Sequence, residues 1–434
     1  MIASRTAAAL LLVASLTAAT PPAPFDTVIV RAGKLLDVEQ GRYLEDRAIR
    51  IKDGRIVAVT AFAGADANGA LLIDWSAYTV LPGLIDLHTH LIGDISSANI
   101  ASPLLRSAAH DALLGAAHAQ TTLAAGFTTV RDVGAYRAFT DVALRDAINE
   151  GLVAGPRMFV AGAYITVTQG GGEVTGLAPD VIVPTEMRRG VADSADEVRQ
   201  RVRELLAGGA DFIKVIATGA VLAVGTRPSA PEYTEAELRA AVEEAANAST
   251  FVIAHAHSAE GIKRAVRAGV RSIEHASYLD DEGIGLMLSH GTWLVADVYN
   301  GDYTEEIGRR DGWHQEILRK NRETTDTQRV AFTKAVRAGV RIGFGTDVGL
   351  LPHGDNARQF AYMVRYGLSP LGAIRSATID AARCLGQERN LGSIAPGKYA
   401  DMIAVAGDPL ADVETLRKIA GVIKEGRLIT GSQP

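Results

Sequence analysis

The sequence predicts an α/β protein: a (β/α)8 TIM barrel with a small β-sandwich domain built from both chain termini. Three observations carry this. Between residues 83 and 390, eight short apolar strands alternate with amphipathic or Ala-rich helical stretches. Turn-punctuated β-like segments flank that region at 25–82 and 391–430. Histidines and an aspartate recur at predicted strand ends, where a parallel barrel carries its site.

The elements follow in order. Residues 1–19 hold Arg5, an apolar run from Ala7 to Leu16 and the small residues Thr17, Ala18 and Ala19. That pattern predicts a signal peptide cleaved after Ala19, and a periplasmic or secreted protein. The run is too short to span a bilayer comfortably, no cysteine follows it for lipidation, and no stable membrane insertion is expected after cleavage. Residues 25–82 read as strands, "DTVIVRAGKLLD", "RAIRIKDGRIVAVT" and "ALLIDWSAYTVLPG", with "KDGR" at 52–55 as a hairpin turn. The barrel strands are "GLIDLHTH", "FTTVRDVG", "RMFVAGAYIT", "FIKVIATG", "FVIAHAHS", "SIEHAS", "TWLVADV" and "RIGFGTD". An internal echo, "AVRAGVRSIEHA" at 265–276 and "AVRAGVRIGFGT" at 335–346, marks two equivalent helix-to-strand junctions. The β rhythm returns after 390, and "KEGR" at 424–427 matches the early hairpin. The terminal strands are therefore expected to form one composite domain, 25–82 plus 391–430, with the 83–390 barrel inserted between its halves.

Composition narrows the function. The chain has 434 residues, 47% hydrophobic and 22% charged, with a net charge of -6 spread along it. It lacks the basic footprint of a nucleic-acid binder. The single cysteine, Cys384, cannot form an internal disulfide and is read as a small buried hydrophobe.

Side chains two apart on a strand share a face. His88 and His90 end the first strand, His255 and His257 the fifth, His275 the sixth and Asp347 the eighth, while Lys214 lies in the fourth. All seven can point into one mouth. Imidazoles with a carboxylate form a transition-metal ligand set, with zinc the natural guess. His110, His118, His290, His314 and His353 lack this context and read as surface or helix residues. Lys214 is surrounded by apolar neighbours in "FIKVIA", and burying an unpaired ammonium costs several kcal/mol.

Together, "LPGLIDLHTHL", the mid-chain strand Lys, "HAHS", "SIEH", "FGTD" and "APGKYAD" resemble the metal-dependent amidohydrolase superfamily over about residues 25 to 430. "TTVRDVG" and "SIEHAS" resemble its prolidase-type branch of Xaa-Pro dipeptidases, Xaa-Lys or Xaa-Arg carboxypeptidases and ochratoxin A amidohydrolases. The resemblance implies two divalent metal ions, bridged by a carbamate that Lys214 forms with CO2. It places His88, His90 and Asp347 on one metal and His255 and His275 on the other. It implies metal-activated hydroxide attacking an amide, with Asp347 as proton shuttle.

His257, two residues past His255, is assigned to hydrogen-bonding the carbonyl oxygen or tetrahedral intermediate; a sixth ligand or a structural role is the alternative. Implied substrates are small amides: dipeptides, N-acyl amino acids and ochratoxin A. Substrate contacts are expected from Tyr164, Val221, Leu222, Arg227 and Tyr299. The third loop has "QGGGE" where relatives often carry a histidine. A homo-oligomer is expected by analogy. The rival readings are a cyclic-amide hydrolase or deaminase on the same scaffold, a Schiff-base lyase using Lys214, and a non-catalytic metal-binding protein.

Overall fold

A computed structural model describes residues 27–62, 69–93 and 99–431. The expected leader, 1–19, lies outside them. The first four strands are β1 (Val28–Asp37), β2 (Arg42–Lys52), β3 (Arg55–Ala61) and β4 (Leu71–Pro82). Nine more follow: β5 (Leu84–Thr89), β6 (Phe127–Asp132), β7 (Arg157–Val160), β8 (Tyr164–Ile165), β9 (Ile213–Ile216), β10 (Val252–Ala256), β11 (Ser272–His275), β12 (Trp293–Val295) and β13 (Arg341–Gly343). The last three are β14 (Met402–Val405), β15 (Ile419–Lys424) and β16 (Arg427–Thr430).

β5 to β13 run parallel in the orders β5-β6-β7 and β8-β9-β10-β11-β12-β13. The last strand closes on the first. Leu87 N donates to Phe344 O at 2.9 Å and Asp347 N to His88 O at 2.8 Å. Gly345 permits this approach, since a Cβ there would lie 2.3 Å from Val295 and 2.9 Å from His88. The expected third strand is split. β7 pairs with β6 and β8 pairs with β9. The break falls at Gly162, whose φ of 76° is left-handed. Its N–H donates to the buried Asp141 carboxylate at 2.8 Å.

Helices pack outside the strands. The two echoed segments do what their sequences suggest. Each ends a helix, at Ala268 and Ala338, and each helix is capped by a left-handed glycine, Gly269 or Gly339. Cys384 is buried in the helix Ile379–Leu385. Among the described residues no helix is long and apolar enough to cross a membrane.

The terminal strands form one sheet in the order β16-β15-β14-β4-β1-β2-β3, so strands from both chain ends lie side by side. The sheet curls on itself: Ile56 N donates to Lys398 O at 3.0 Å, and Arg55 bridges to Tyr399. The sandwich layers are thus two parts of one hydrogen-bonded sheet around Val30, Ile49, Ile73, Trp75, Met402 and Ile423. Both hairpins have two-residue turns with positive φ, at Asp53-Gly54 and Glu425-Gly426. That geometry matches strand twist and favours glycine second.

Candidate active site

The strand ends converge on a cavity of about 120 Å³, lined by all seven residues singled out at strand termini and in β9. Seen from the sequence upward, the reason is simple. Buried strands carry apolar residues toward helices and core, so the polar residues of the same strands collect at the mouth.

His88 Nε2 and His90 Nε2 lie 3.3 and 3.2 Å from Asp347 Oδ1. His88 Nδ1 meets Glu274 Oε2 at 2.9 Å, and His90 Nδ1 meets Gly134 O at 3.2 Å. His275 Nδ1 meets Asp297 Oδ1 at 2.9 Å. A ring nitrogen that donates to a carboxylate or carbonyl leaves the other as a lone pair, the arrangement of a metal-binding imidazole. One ligand atom from each of His88, His90 and Asp347 falls within 4.8 Å of the others, and the same holds for His275, Asp297 and Asp347. The donor set therefore fits divalent metal ions. His255 packs beside His275 with ring centroids 4.5 Å apart, and its Nε2 faces Gly219 O at 3.4 Å.

Lys214 is 2% exposed. Burial lowers its pKa to about 8, against the opposing charges of Glu274 and Asp347. Neutral amine is thus accessible near neutral pH. Burial, and then the charge of His275, pull His257 down to about 3. Its Nδ1 sits 2.8 Å from Ser277 Oγ. A neutral His257 that accepts the Ser277 hydroxyl proton at Nδ1 carries its own proton on Nε2. Burial opposes ionisation of Asp347, but His88 and His90, when protonated at Nε2, hold its pKa well below the usual range by hydrogen bonding and charge.

Asp347, His275 and Ala276 have φ of 58°, 70° and 56°. Such backbone costs on the order of 1–3 kcal/mol per residue and persists where the surroundings enforce it. Here Asp347 N is tied to His88 O, and Ala276 N to Ala256 O.

Beneath the site sits a charge pair that the sequence reading missed. Arg131 and Glu274 are both fully buried. Arg131 donates to both Glu274 oxygens at 2.9 and 3.0 Å, to Leu87 O at 2.6 Å and to Ser272 Oγ at 3.1 Å. Burial raises the Glu274 pKa, but Arg131 and His88 win and bring it to about 2. "VRD" and "IEH" placed both residues on barrel strands; only the barrel's curvature brings them together. Asp297 was also missed, although it ends "TWLVAD" just as the other candidates end theirs. Asn300 donates to it at 2.8 Å and Gln328 at 2.9 Å.

The expected substrate contacts divide. Tyr164, Val221 and Leu222 line the cavity, and the Tyr164 hydroxyl donates to Gly134 O at 2.9 Å. Arg227 does not: it is exposed and outside the cavity lining. Tyr299 does not either. The chain turns into the helix Asn300–Asp311 right after it, its ring packs with Val348 and Leu351, and its hydroxyl accepts from Arg358 at 2.9 Å. Tyr136 lines the cavity unannounced, with burial pushing its hydroxyl up to about 12. Of the histidines set aside, His110, His290 and His314 are exposed, while His118 and His353 stack at 3.9 Å outside the cavity.

Two ionisable side chains hold the loops. Lys320, 1% exposed on the helix Gln315–Ala338, donates to Ala223 O at 2.6 Å, Ala220 O at 3.1 Å and Thr226 O at 3.3 Å. It fixes the loop carrying Val221 and Leu222. Glu232 accepts from Gly171 N at 3.0 Å, and Gly171 and Gly172 of the third loop line the cavity.

A parallel barrel whose strand ends gather imidazoles, carboxylates and a depressed lysine defines a class, the metal-dependent hydrolases. The comparisons agree. The amidohydrolase family model matches residues 79–429. An ochratoxinase from Aspergillus niger is 32% identical over 435 residues, covering 93% of this chain and 86% of that protein. A Xaa-Pro dipeptidase structure with bound methionine in the active site is 38% identical, with a TM-score of 0.87, covering 93% of this chain and 99% of that one. A prolidase structure complexed with N-methylphosphonate-L-proline is 32% identical, with a TM-score of 0.85, covering 94% and 100%. The chain belongs to the amidohydrolase family, in its prolidase-type branch, and is a metal-dependent hydrolase of amide bonds.

Proposed function

We propose that the protein is an exported, binuclear-metal amidohydrolase that cleaves the amide bond to a C-terminal amino acid in dipeptides or N-acyl amino acids, ochratoxin A included. The observation that carries this is the convergence of His88, His90, His255, His275 and Asp347 around one buried lysine of lowered pKa.

His88, His90 and Asp347 would hold one divalent ion and His255 and His275 the second, and zinc suits the nitrogen-rich set. Asp297 supports the second site through His275. Lys214, as a carbamate, would supply the anionic ligand that the site otherwise lacks. The ammonium first gives up a proton to solvent, the neutral nitrogen then bonds to the carbon of CO2, and a second proton leaves, so that a cation is replaced by an anion. Such a metal pair polarises a carbonyl and makes water a nucleophile at neutral pH. Asp347, ionised at rest, accepts the proton released as water attacks and returns it to the departing amine nitrogen. His257 donates from Nε2 to the carbonyl oxygen as negative charge gathers there. Hydrogen bonds from Asn300 and Gln328 keep Asp297 oriented.

The test is metal analysis with a substrate panel. Protein loaded with zinc and bicarbonate is assayed on dipeptides, N-acyl amino acids, cyclic imides and nucleobases. Two metals per chain with turnover of the acyclic amides is the expected result. One metal per chain, or turnover confined to cyclic amides or nucleobases, refutes the reading.

A further inference from the structure

The repeated heptapeptide "AVRAGVR", at 265–271 and 335–341, takes no part in the chemistry above. In both copies a helix ends, a left-handed glycine turns the chain, and a buried valine, Val270 or Val340, anchors the turn. The closing arginine, Arg271 or Arg341, then stands at the foot of a barrel strand, β11 or β13. His275 and Asp347 lie at the other ends of the same strands. β12 runs between the two, with Ser272, Trp293 and Arg341 in one row. Two strand spacings therefore set the arginine backbones ~10 Å apart.

Both side chains line a chamber of about 1000 Å³ at the base of the barrel, together with Arg375, Arg383, Asp380 and Glu388. That is the size of a small-molecule site rather than a lone ion. Arg383 is neutralised by Asp380 at 2.8 Å. The other guanidiniums rest on main-chain carbonyls. Arg271 donates to Cys384 O at 3.1 Å, Arg341 to Gly291 O at 3.3 Å, and Arg375 to Val38 O at 2.6 Å and Glu39 O at 2.8 Å. Cys384 and Gly291 lie at helix C-termini, which carry about half a negative charge, so these bonds offset part of the arginine charge. They do not cancel it. Among the described residues Arg271, Arg341 and Arg375 make no ion pair, and Glu388 is the one carboxylate left to face them. Rings hold two of the guanidiniums in place: Arg271 lies 4.6 Å from the Phe251 centroid and Arg341 5.7 Å from that of Trp293. Side chains fixed in advance lose little freedom on binding, and a guanidinium fork fits the paired oxygens of a phosphate or carboxylate.

We propose that this basal chamber is a binding site for a small dianion whose two oxyanion groups, phosphate or carboxylate, are spaced to meet Arg271 and Arg341. The site stands at the far end of the strands from the metal ligands and does not depend on the amide-hydrolase reading. Calorimetric titration of the metal-loaded protein at constant ionic strength tests it, since screening would otherwise imitate specificity. The probes are fructose 1,6-bisphosphate, fructose 6-phosphate and octanedioate. The bisphosphate is expected to bind one per chain, at least tenfold tighter than the monophosphate. Octanedioate binding tighter than the bisphosphate upholds the site and identifies carboxylates as its groups.

Arg271→Gln and Arg341→Gln each keep a donor for the carbonyl and remove one charge, and each should weaken bisphosphate binding about tenfold. Arg341 is exposed, so its variant keeps a readout if Arg271→Gln does not fold. Arg309→Gln makes the same charge change outside the chamber and should leave the affinity unchanged. Lys214→Ala alters the catalytic mouth and should leave it unchanged as well. No saturable binding of either dianion at millimolar concentration, a bisphosphate no tighter than the monophosphate with octanedioate no better, or an affinity blind to Arg341→Gln overturns the proposal. So does an affinity lost in Lys214→Ala, which would put the ligand in the mouth. Failure to cleave any amide leaves the chamber standing and removes the amide-hydrolase reading alone.

Discussion

Glu274→Gln separates two jobs done by one carboxylate. The substitution keeps the side-chain shape and removes the charge. Arg131 is then left fully buried with a neutral partner. Breaking a buried ion pair costs about 3–5 kcal/mol, and an amide that still accepts one hydrogen bond puts the loss at ~3 kcal/mol. Unfolding entropy runs at about 2.1 cal/mol/K per residue, so a folded chain of ~400 residues loses roughly 3–4 °C in Tm. His88 loses its anionic Nδ1 partner at the same time. Removing such a partner weakens metal binding about 10- to 100-fold. Thermal melts and zinc titration against a competing chelator measure the two effects. The double variant Arg131→Met/Glu274→Gln should recover most of the Tm, because no unpaired charge remains, but none of the metal affinity. A single variant that keeps both Tm and zinc affinity would refute the reasoning. So would a double variant that restores both.

Other outcomes follow from the same geometry. Lys214→Ala should lose about 100-fold or more in activity and one metal per chain, with partial rescue by short carboxylic acids; unchanged metal content in elemental analysis contradicts the bridging role. Lys320→Met deletes three bonds to the 220–226 loop and should raise KM about tenfold with little change in kcat, since the loop walls the cavity without touching the reacting atoms; a kcat-only effect would count against it. Burial raises the Glu232 pKa from 4.5 to about 7, so the folded state favours its protonated form. Its contribution is therefore full below pH ~4.5 and is lost as pH rises toward 7, on the order of 3 kcal/mol. Glu232→Gln should flatten that part of the stability–pH curve in melts across pH 4.5–8, and an unchanged curve would dismiss Glu232 as its source.

Much of the site was legible because strand periodicity and barrel polarity are both local rules. His88, His90, His255, His257, His275 and Asp347 needed only a strand end and a two-residue repeat to be placed. Residues whose roles depend on packing across the barrel were not legible. Arg131 and Glu274 meet from strands far apart in sequence, and each alone reads as an ordinary charged residue. Loops carry no period, so Arg227 and Tyr299 could be assigned to the right loops but not to a direction. The split of the third strand turns on the backbone angle of Gly162, and the left-handed angles at His275 and Asp347 have no signature in residue type.

The composite sheet sets an order on biosynthesis. β4 pairs with β1 on one side and with β14 on the other. A ribosome releases β4 more than three hundred residues before β14. Through that interval the Thr79–Pro82 end of β4, which β14 later pairs, offers a bare edge of amide and carbonyl groups, a template for any passing extended chain. Chains truncated before Met402 should therefore aggregate through that edge even when their barrel is complete. β14, arriving with its hairpin β15-β16, serves as the clasp that seals it.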